Sequence, residues 1–178
     1  MKTLDILHRA LAACDRLMAD ERVLHAQITG SVRRGALEVA DLDLLIVTND
    51  PWSFPVGSLD RPPHPDREAH LFIATPETYG VVLAFSTGPQ ELNRVLRDKA
   101  RQKGYLFDFA TEGQEAKYGS LVGFYGLDGS PTPPIPTPTE EQFFRLVGVP
   151  HVPPPFREWL AQESAVRSLK AAGRGRRR

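Results

Sequence analysis

At 178 residues, with 41% apolar and 25% charged side chains, the chain is globular in composition and long enough to bury a core, as one domain or as two small ones in contact. The single cysteine, Cys14, excludes an internal disulfide and a thiolate zinc cluster; there is no apolar run of about 18 residues and no charged-apolar-small leader pattern. A cytoplasmic protein with no membrane partner is expected, and a formal net charge of zero hides a very uneven distribution of cations.

Leu4, Leu7, Leu11, Cys14 and Met18 recur at three- and four-residue steps, which predicts an amphipathic helix from about Thr3 to Asp20 with Cys14 in the core. Leu24, Ala26 and Ile28 alternate as a first strand ending at Gly30-Ser31, and Val32 to Gly35 reads as a short helical turn. Asp41 to Thr48 is a second strand with one apolar and one acidic face, because alternation turns Asp41 and Asp43 one way and Leu42 and Leu44 the other.

The stretch from Ile28 to Ile46 is where the chemistry is expected. Two carboxylates on one strand face repel each other unless a divalent cation lies between them. The backbone N–H groups and hydroxyl of Gly30-Ser31 can cradle phosphate, and Arg33 and Arg34 can neutralise it. Together these residues describe a site for a metal-nucleoside triphosphate. By itself Asp41-x-Asp43 would be read as a solvated strand edge; the neighbouring turn and arginines turn the reading towards function.

Five prolines from Pro51 to Pro65 predict a surface loop or irregular hairpin up to Glu68. Ala69 to Ala74 is a third strand, Pro76 starts a helix that Gly88-Pro89 breaks, and Gln90 to Lys103 is the next helix, with Leu92, Val95 and Leu96 inside and Gly104 ending it. Tyr105 to Phe109 and Tyr118 to Tyr125 supply strands. A proline-rich connector then leads to a helix capped by Thr139 with Gln142, carrying Phe143, Phe144 and Leu146 and closed by Gly148. A last helix, from about Phe156 to Ala171, packs through Trp159, Leu160, Val166 and Leu169. His8, His25, His64 and His151 show no ligand spacing, and Trp52 and Trp159 read as packing residues.

Five cations (Arg94, Arg97, Lys99, Arg101, Lys103) stand against Asp98 between residues 94 and 103, and six (Arg167, Lys170, Arg174, Arg176, Arg177, Arg178) stand unopposed from 167 onward. Such stripes bind phosphate whatever the chain total, because screening limits each charge to about 8 Å at physiological salt. A solvated helix face and a frayed tail are the plainer alternatives.

With these residues in order, the chain resembles the X-family of DNA polymerases, the group of polymerase beta. The resemblance is carried by Gly30-Ser31-Val32-Arg33-Arg34-Gly35 with Asp41-x-Asp43, by Pro76-Glu77-Thr78-Tyr79-Gly80 leading to Phe85-Ser86-Thr87-Gly88, by Asn93-x-x-x-Arg97 and Lys103-Gly104, and by Thr139-Glu140-Glu141 before Phe143. A Gly-Ser with Asp-x-Asp alone would indicate only the wider nucleotidyltransferase superfamily. The resemblance implies an α/β (α+β) architecture: a nucleotidyltransferase palm with a mixed sheet over residues 1–104, a small α+β thumb over 105–171 and a basic tail at 172–178. The lyase and fingers regions that usually precede the palm are not recognisable here, so the chain looks like the reduced palm-and-thumb members, and lyase activity is not expected.

What the resemblance implies for function is template-directed DNA polymerisation by a two-metal mechanism, filling short gaps in DNA repair, by a monomer acting on duplex or gapped DNA with deoxynucleoside triphosphates and Mg2+ or Mn2+. Position by position, Gly30, Ser31 and Arg34 would hold the triphosphate, and Asp41 and Asp43 the nucleotide's metal. Phe85, Thr87 and Gly88 match the segment against the incoming sugar, with Ser86 in place of the usual second aromatic. Asn93 would approach the minor-groove edge of the new base pair, and Arg97, with Arg94, Lys99 and Arg101, the DNA backbone. The departure is at position 70, where the family's spacing back from Thr87-Gly88 calls for a third metal-binding aspartate and this chain has His70. Magnesium prefers oxygen ligands, whereas imidazole suits zinc, manganese or cobalt. Glu68, two residues earlier on the same strand face, is a candidate substitute through a water. Two alternatives stand beside the polymerase: a non-catalytic or weakly active DNA- or nucleotide-binding remnant, which His70 makes plausible, and a nucleotidyltransferase with another acceptor, against which Asn93, Arg97 and the thumb motifs argue.

Overall fold

A computed structural model of the chain describes residues 3–54, 69–108, 123–126 and 135–159. The loop after Phe54 with His64 and Glu68, most of the strand expected from Tyr118, the helix beyond Trp159 and the basic tail lie outside the described residues.

Helix α1 spans Thr3–Met18. It buries Ile6, Ala10, Ala13 and Leu17, whereas Leu7, Leu11 and Met18 are exposed and Cys14 is half-buried. The expected stripe is therefore displaced by one residue. Two apolar rows run side by side on this helix, and the row containing Ala10 and Ala13 is the one small enough to lie close on the sheet. Leu7, Leu11 and Cys14 instead line an open groove with Ala26, Ile28 and Val32.

The sheet consists of β1 (His25–Ile28), β2 (Leu42–Val47) and β3 (Ala69–Ala74), in that order. β1 pairs antiparallel with β2, and β2 pairs parallel with β3. Leu44, Ile46 and Ile73 turn to one face and pack with Ala13, Leu17 and Val23. Leu45, Val47 and Ala74 turn to the other, against α3 (Tyr79–Thr87), α4 (Gln90–Gln102) and α5 (Glu140–Val147). β2 is thus apolar on both faces along most of its length, and its acidic character is confined to the end where Asp41 and Asp43 stand. That corrects the expectation of one wholly acidic face: a central strand covered on both sides has no room for charge beyond its open end.

Pro76 lies in a turn, and α3 starts at Tyr79 rather than at the proline; Thr78 Oγ1 instead accepts the Thr75 N–H at 2.9 Å. Gly80 lets α3 touch the segment before α5: a Cβ there would come within 2.1 Å of the Thr139 carbonyl oxygen, while its own N–H donates to Thr137 O at 2.7 Å. α4 buries Leu92, Leu96 and Ala100, with Val95 exposed contrary to expectation, and Gly104 follows it in the left-handed region at φ 79°. β4 (Tyr105–Asp108) and β5 (Gly123–Gly126) form a separate antiparallel pair.

Helix α5 is capped as its sequence predicts, Thr139 Oγ1 accepting from the Gln142 N–H at 3.2 Å and Gly148 closing it at φ 75°. Its Phe143 and Phe144 are fully buried, each contributing on the order of 2–3 kcal/mol from removed apolar surface. Residues 154–159 are again helical, with Phe156 and Trp159 exposed rather than packed. Among the described residues no helix is long and apolar enough to cross a membrane.

Candidate active site

The parallel register places His70 directly beside Asp43, and both lie at the same end of the sheet as Asp41. His70 Nδ1 is 3.2 Å from Asp43 Oδ1 and 3.6 Å from Asp41 Oδ2. One ligand atom from each of the three falls within 4.8 Å of the others, so two carboxylates and an imidazole converge as a group able to hold a cation. Asp43 is the sheltered member at 16% exposure, against 43% for Asp41 and 48% for His70. Burial and the neighbouring Asp41 charge push the Asp43 carboxyl up, while His70 and Arg34 pull the other way without reversing the rise. The donor set suits a divalent cation: with one bound, the carboxylate repulsion becomes attraction.

Helix α2 (Gly30–Arg34) begins beside this group. Gly30 sits at φ 62°, and a Cβ on it would fall 1.9 Å from Asp43 Oδ2. Glycine is required here twice over, by the left-handed backbone and by the carboxylate packed against it. Among the described residues the buried Oγ of Ser31 has no hydrogen-bond partner, leaving a polar atom available to a bound ligand.

The two arginines of α2 are both engaged. Arg33 donates to Thr87 Oγ1 at 2.7 Å and forms a two-pronged pair with Glu140, at 3.1 and 2.8 Å. Arg34 donates from Nη1 to the Thr87 carbonyl at 2.5 Å and from Nε to Glu158 at 2.9 Å. Thr87 is fully buried, and its hydroxyl and carbonyl hold one arginine each. Glu140 also binds Arg157 at 2.8 Å, and Arg157 is fully buried, donating to Val152 O at 2.6 Å with its guanidinium over the Phe144 ring. Burial pushes the Glu140 carboxyl up, but the Arg33 hydrogen bond and the Arg157 charge outweigh it, and the net displacement is downward.

Sequence reasoning missed Glu140, Arg157 and Glu158 as members of this region and gave Arg33 no partner. The signal available was weak: Glu140 appeared only within the Thr139-Glu140-Glu141 motif, with no partner assigned, and the pairings span more than a hundred residues.

On α4, Asn93 is buried and donates from Nδ2 to Phe85 O at 2.9 Å, while its Oδ1 has no partner among the described residues. The Arg97 guanidinium lies 5.7 Å from the centroid of the half-buried Phe85 ring. Arg94, Arg97 and Arg101 fall at three- and four-residue steps and make one cationic row; Lys99 is exposed off that row and contacts Gln102. Gly88, at φ 65°, lies between α3 and α4 with Arg34 Nη1 3.3 Å from where its Cβ would be.

Residues 82–158 match the family model of the DNA polymerase beta thumb. The fold is similar to the crystal structure of Leishmania infantum polymerase beta in a ternary P/T complex, with a TM-score of 0.62 and 18% sequence identity, over 88% of this chain and 76% of that one.

Proposed function

We propose, from its place among the polymerase beta-like proteins of the X-family, that this chain is a template-directed DNA polymerase that adds deoxynucleotides to a primer 3′-hydroxyl, filling short gaps in DNA repair as a monomer. The observation that carries the reading is the convergence of Asp41, Asp43 and His70 near the start of α2, where the buried hydroxyl of Ser31 has no partner among the described residues. In this reading residues 1–104 form the palm, 105–171 the thumb and 172–178 a basic tail. Asp41, Asp43 and His70 hold Mg2+ or Mn2+. When bound, such cations neutralise the triphosphate and favour ionisation of the attacking hydroxyl. Gly30, Ser31 and Arg34 orient the triphosphate. Phe85 and Gly88 shape the floor beneath the sugar, with Thr87 holding the arginines behind it. The Oδ1 of Asn93, without a partner among the described residues, would accept from the base edge, as a short amide oxygen is suited to do. Arg97, with Arg94, Lys99 and Arg101, holds DNA phosphates.

His70 favours a second reading, a nucleotide- and DNA-binding remnant with little or no transfer activity, since it removes one negative charge and one hard ligand from the site. Primer extension on a gapped duplex, with magnesium and manganese in parallel, separates the two. Incorporation directed by the template base, abolished by Asp43→Ala in a protein that still melts like the wild type, is the expected result. Triphosphate and duplex binding without incorporation in either metal would establish the remnant instead.

A further inference from the structure

We infer that Glu158 is a positioning residue for triphosphate binding, fixing the plane of the Arg34 guanidinium so that its unpaired edge faces phosphates held beside Asp41 and Asp43. The inference rests on the proposed nucleotide site and adds to it a residue from the far end of the chain. An arginine that must meet phosphate with a fixed fork loses less freedom on binding if it is already held. Arg34 is held at two different nitrogens, Nε by the Glu158 carboxylate at 2.9 Å and Nη1 by the Thr87 carbonyl at 2.5 Å. Two such anchors define the guanidinium plane, and Nη2 has no partner among the described residues.

Both members of the pair are largely buried, at 15% and 18% exposure, so water competes weakly for them. The carboxylate itself is well placed to act as an anchor. It follows Arg157, whose side chain is fully buried and pinned by Glu140 and by the Val152 carbonyl. Glu158 takes the Nε of Arg34, and among the described residues no side chain or carbonyl takes Nη2. A carboxylate acting as a stand-in for phosphate would be expected at that end, where displacement by nucleotide would be direct. Arg34 is carried by the helix that begins at Gly30, the residue packed against the Asp43 carboxylate.

The test is calorimetric titration of the full chain with a non-hydrolysable deoxynucleoside triphosphate in manganese and in magnesium, with a thermal melt of each protein. Glu158→Ala is expected to weaken binding roughly tenfold, the scale of removing one charge-assisted hydrogen bond together with its orienting effect. Glu158→Gln, whose amide oxygen still accepts from Nε, should fall between it and wild type, and it carries the test if the alanine variant does not fold. In an Arg34→Ala background neither substitution should change affinity further, because the residue through which Glu158 acts is gone. Unchanged or tighter binding in the Glu158 variants overturns the inference, the tighter case identifying Glu158 as a competitor of the phosphates. An equal additional loss in the Arg34→Ala background overturns it in favour of a general structural role. Failure of the wild type to bind triphosphate in either metal removes the nucleotide site itself, and the inference with it, whereas equal binding by wild type and variants removes Glu158 alone.

Discussion

In the proposed cation site, His70 changes two properties at once. Replacing a carboxylate with an imidazole removes a negative charge and exchanges a hard oxygen for a borderline nitrogen beside Asp43. In the proposed function the nucleotide's own cation would keep Asp41 and Asp43, so triphosphate binding is expected to survive, while magnesium-dependent extension is expected to be slow and to rise in manganese or cobalt. His70→Asp should then increase the magnesium rate by about tenfold or more, since each 1.4 kcal/mol of transition-state stabilisation gives a factor of ten. Primer-extension rates for both proteins in each metal provide the check; a wild type already fast in magnesium and unchanged by the substitution would remove His70 from the site. Strand alternation made Asp41 and Asp43 readable as one pair, and the spacing implied by the family resemblance added His70. The reason for Gly30 was not readable in the same way, because the approach of its Cα to Asp43 crosses from one element to another and leaves no periodic trace. Arg33 was misleading for a related reason: two adjacent arginines after a Gly-Ser turn look like phosphate ligands, yet Arg33 is committed to Glu140 and Thr87.

At the scale of elements, pattern reading located helices and strands well and placed their faces less well. α4 shows both outcomes. Its ends and its buried Leu92 and Leu96 agree with the periodicity, but Val95 is exposed beside Arg94 and so belongs to the solvent side. α1 shows the same limit more sharply: where two apolar rows adjoin, periodicity alone cannot choose between them, and closeness of approach to the sheet does. The cationic row of α4 carries its own prediction. Arg97→Glu with Arg101→Glu should weaken duplex binding and flatten the plot of log affinity against log salt by roughly 0.9 for each DNA phosphate no longer neutralised. Deleting Arg174 to Arg178 should cost less, because the α4 row presents its charges together on a formed helix. Filter-binding or anisotropy titrations from low to physiological salt make the comparison, and a tail deletion more damaging than the double reversal would place the main DNA-binding surface outside α4.

At the scale of the whole molecule, a buried ionic cluster links the sheet half to the last third of the chain, and buried pairs are costly to break from one side only. Glu140 lies between Arg33 on α2 and the fully buried Arg157, with His151 Nε2 3.6 Å away and Thr87 sharing Arg33. Removing the carboxylate's charge leaves two guanidinium groups facing each other out of water. Glu140→Gln, which keeps the volume, should therefore destabilise the fold by about 3 kcal/mol or more at pH 7. The pH dependence has a definite sign. The folded pKa of Glu140 is depressed, so its stabilising contribution is complete above the unfolded carboxyl's value of about 4.3 and is lost as pH falls through the lower folded value. Urea unfolding of wild type and Glu140→Gln between pH 7 and pH 3 should show a stability difference that is wide at neutral pH and narrows in acid, as the wild-type carboxyl becomes as neutral as the amide. A difference that stays constant across that range would mean that Glu140 carries no depressed pKa in solution and that the sheet half and the last third of the chain are joined mainly by apolar packing, that of Phe143 and Phe144 with α3 foremost.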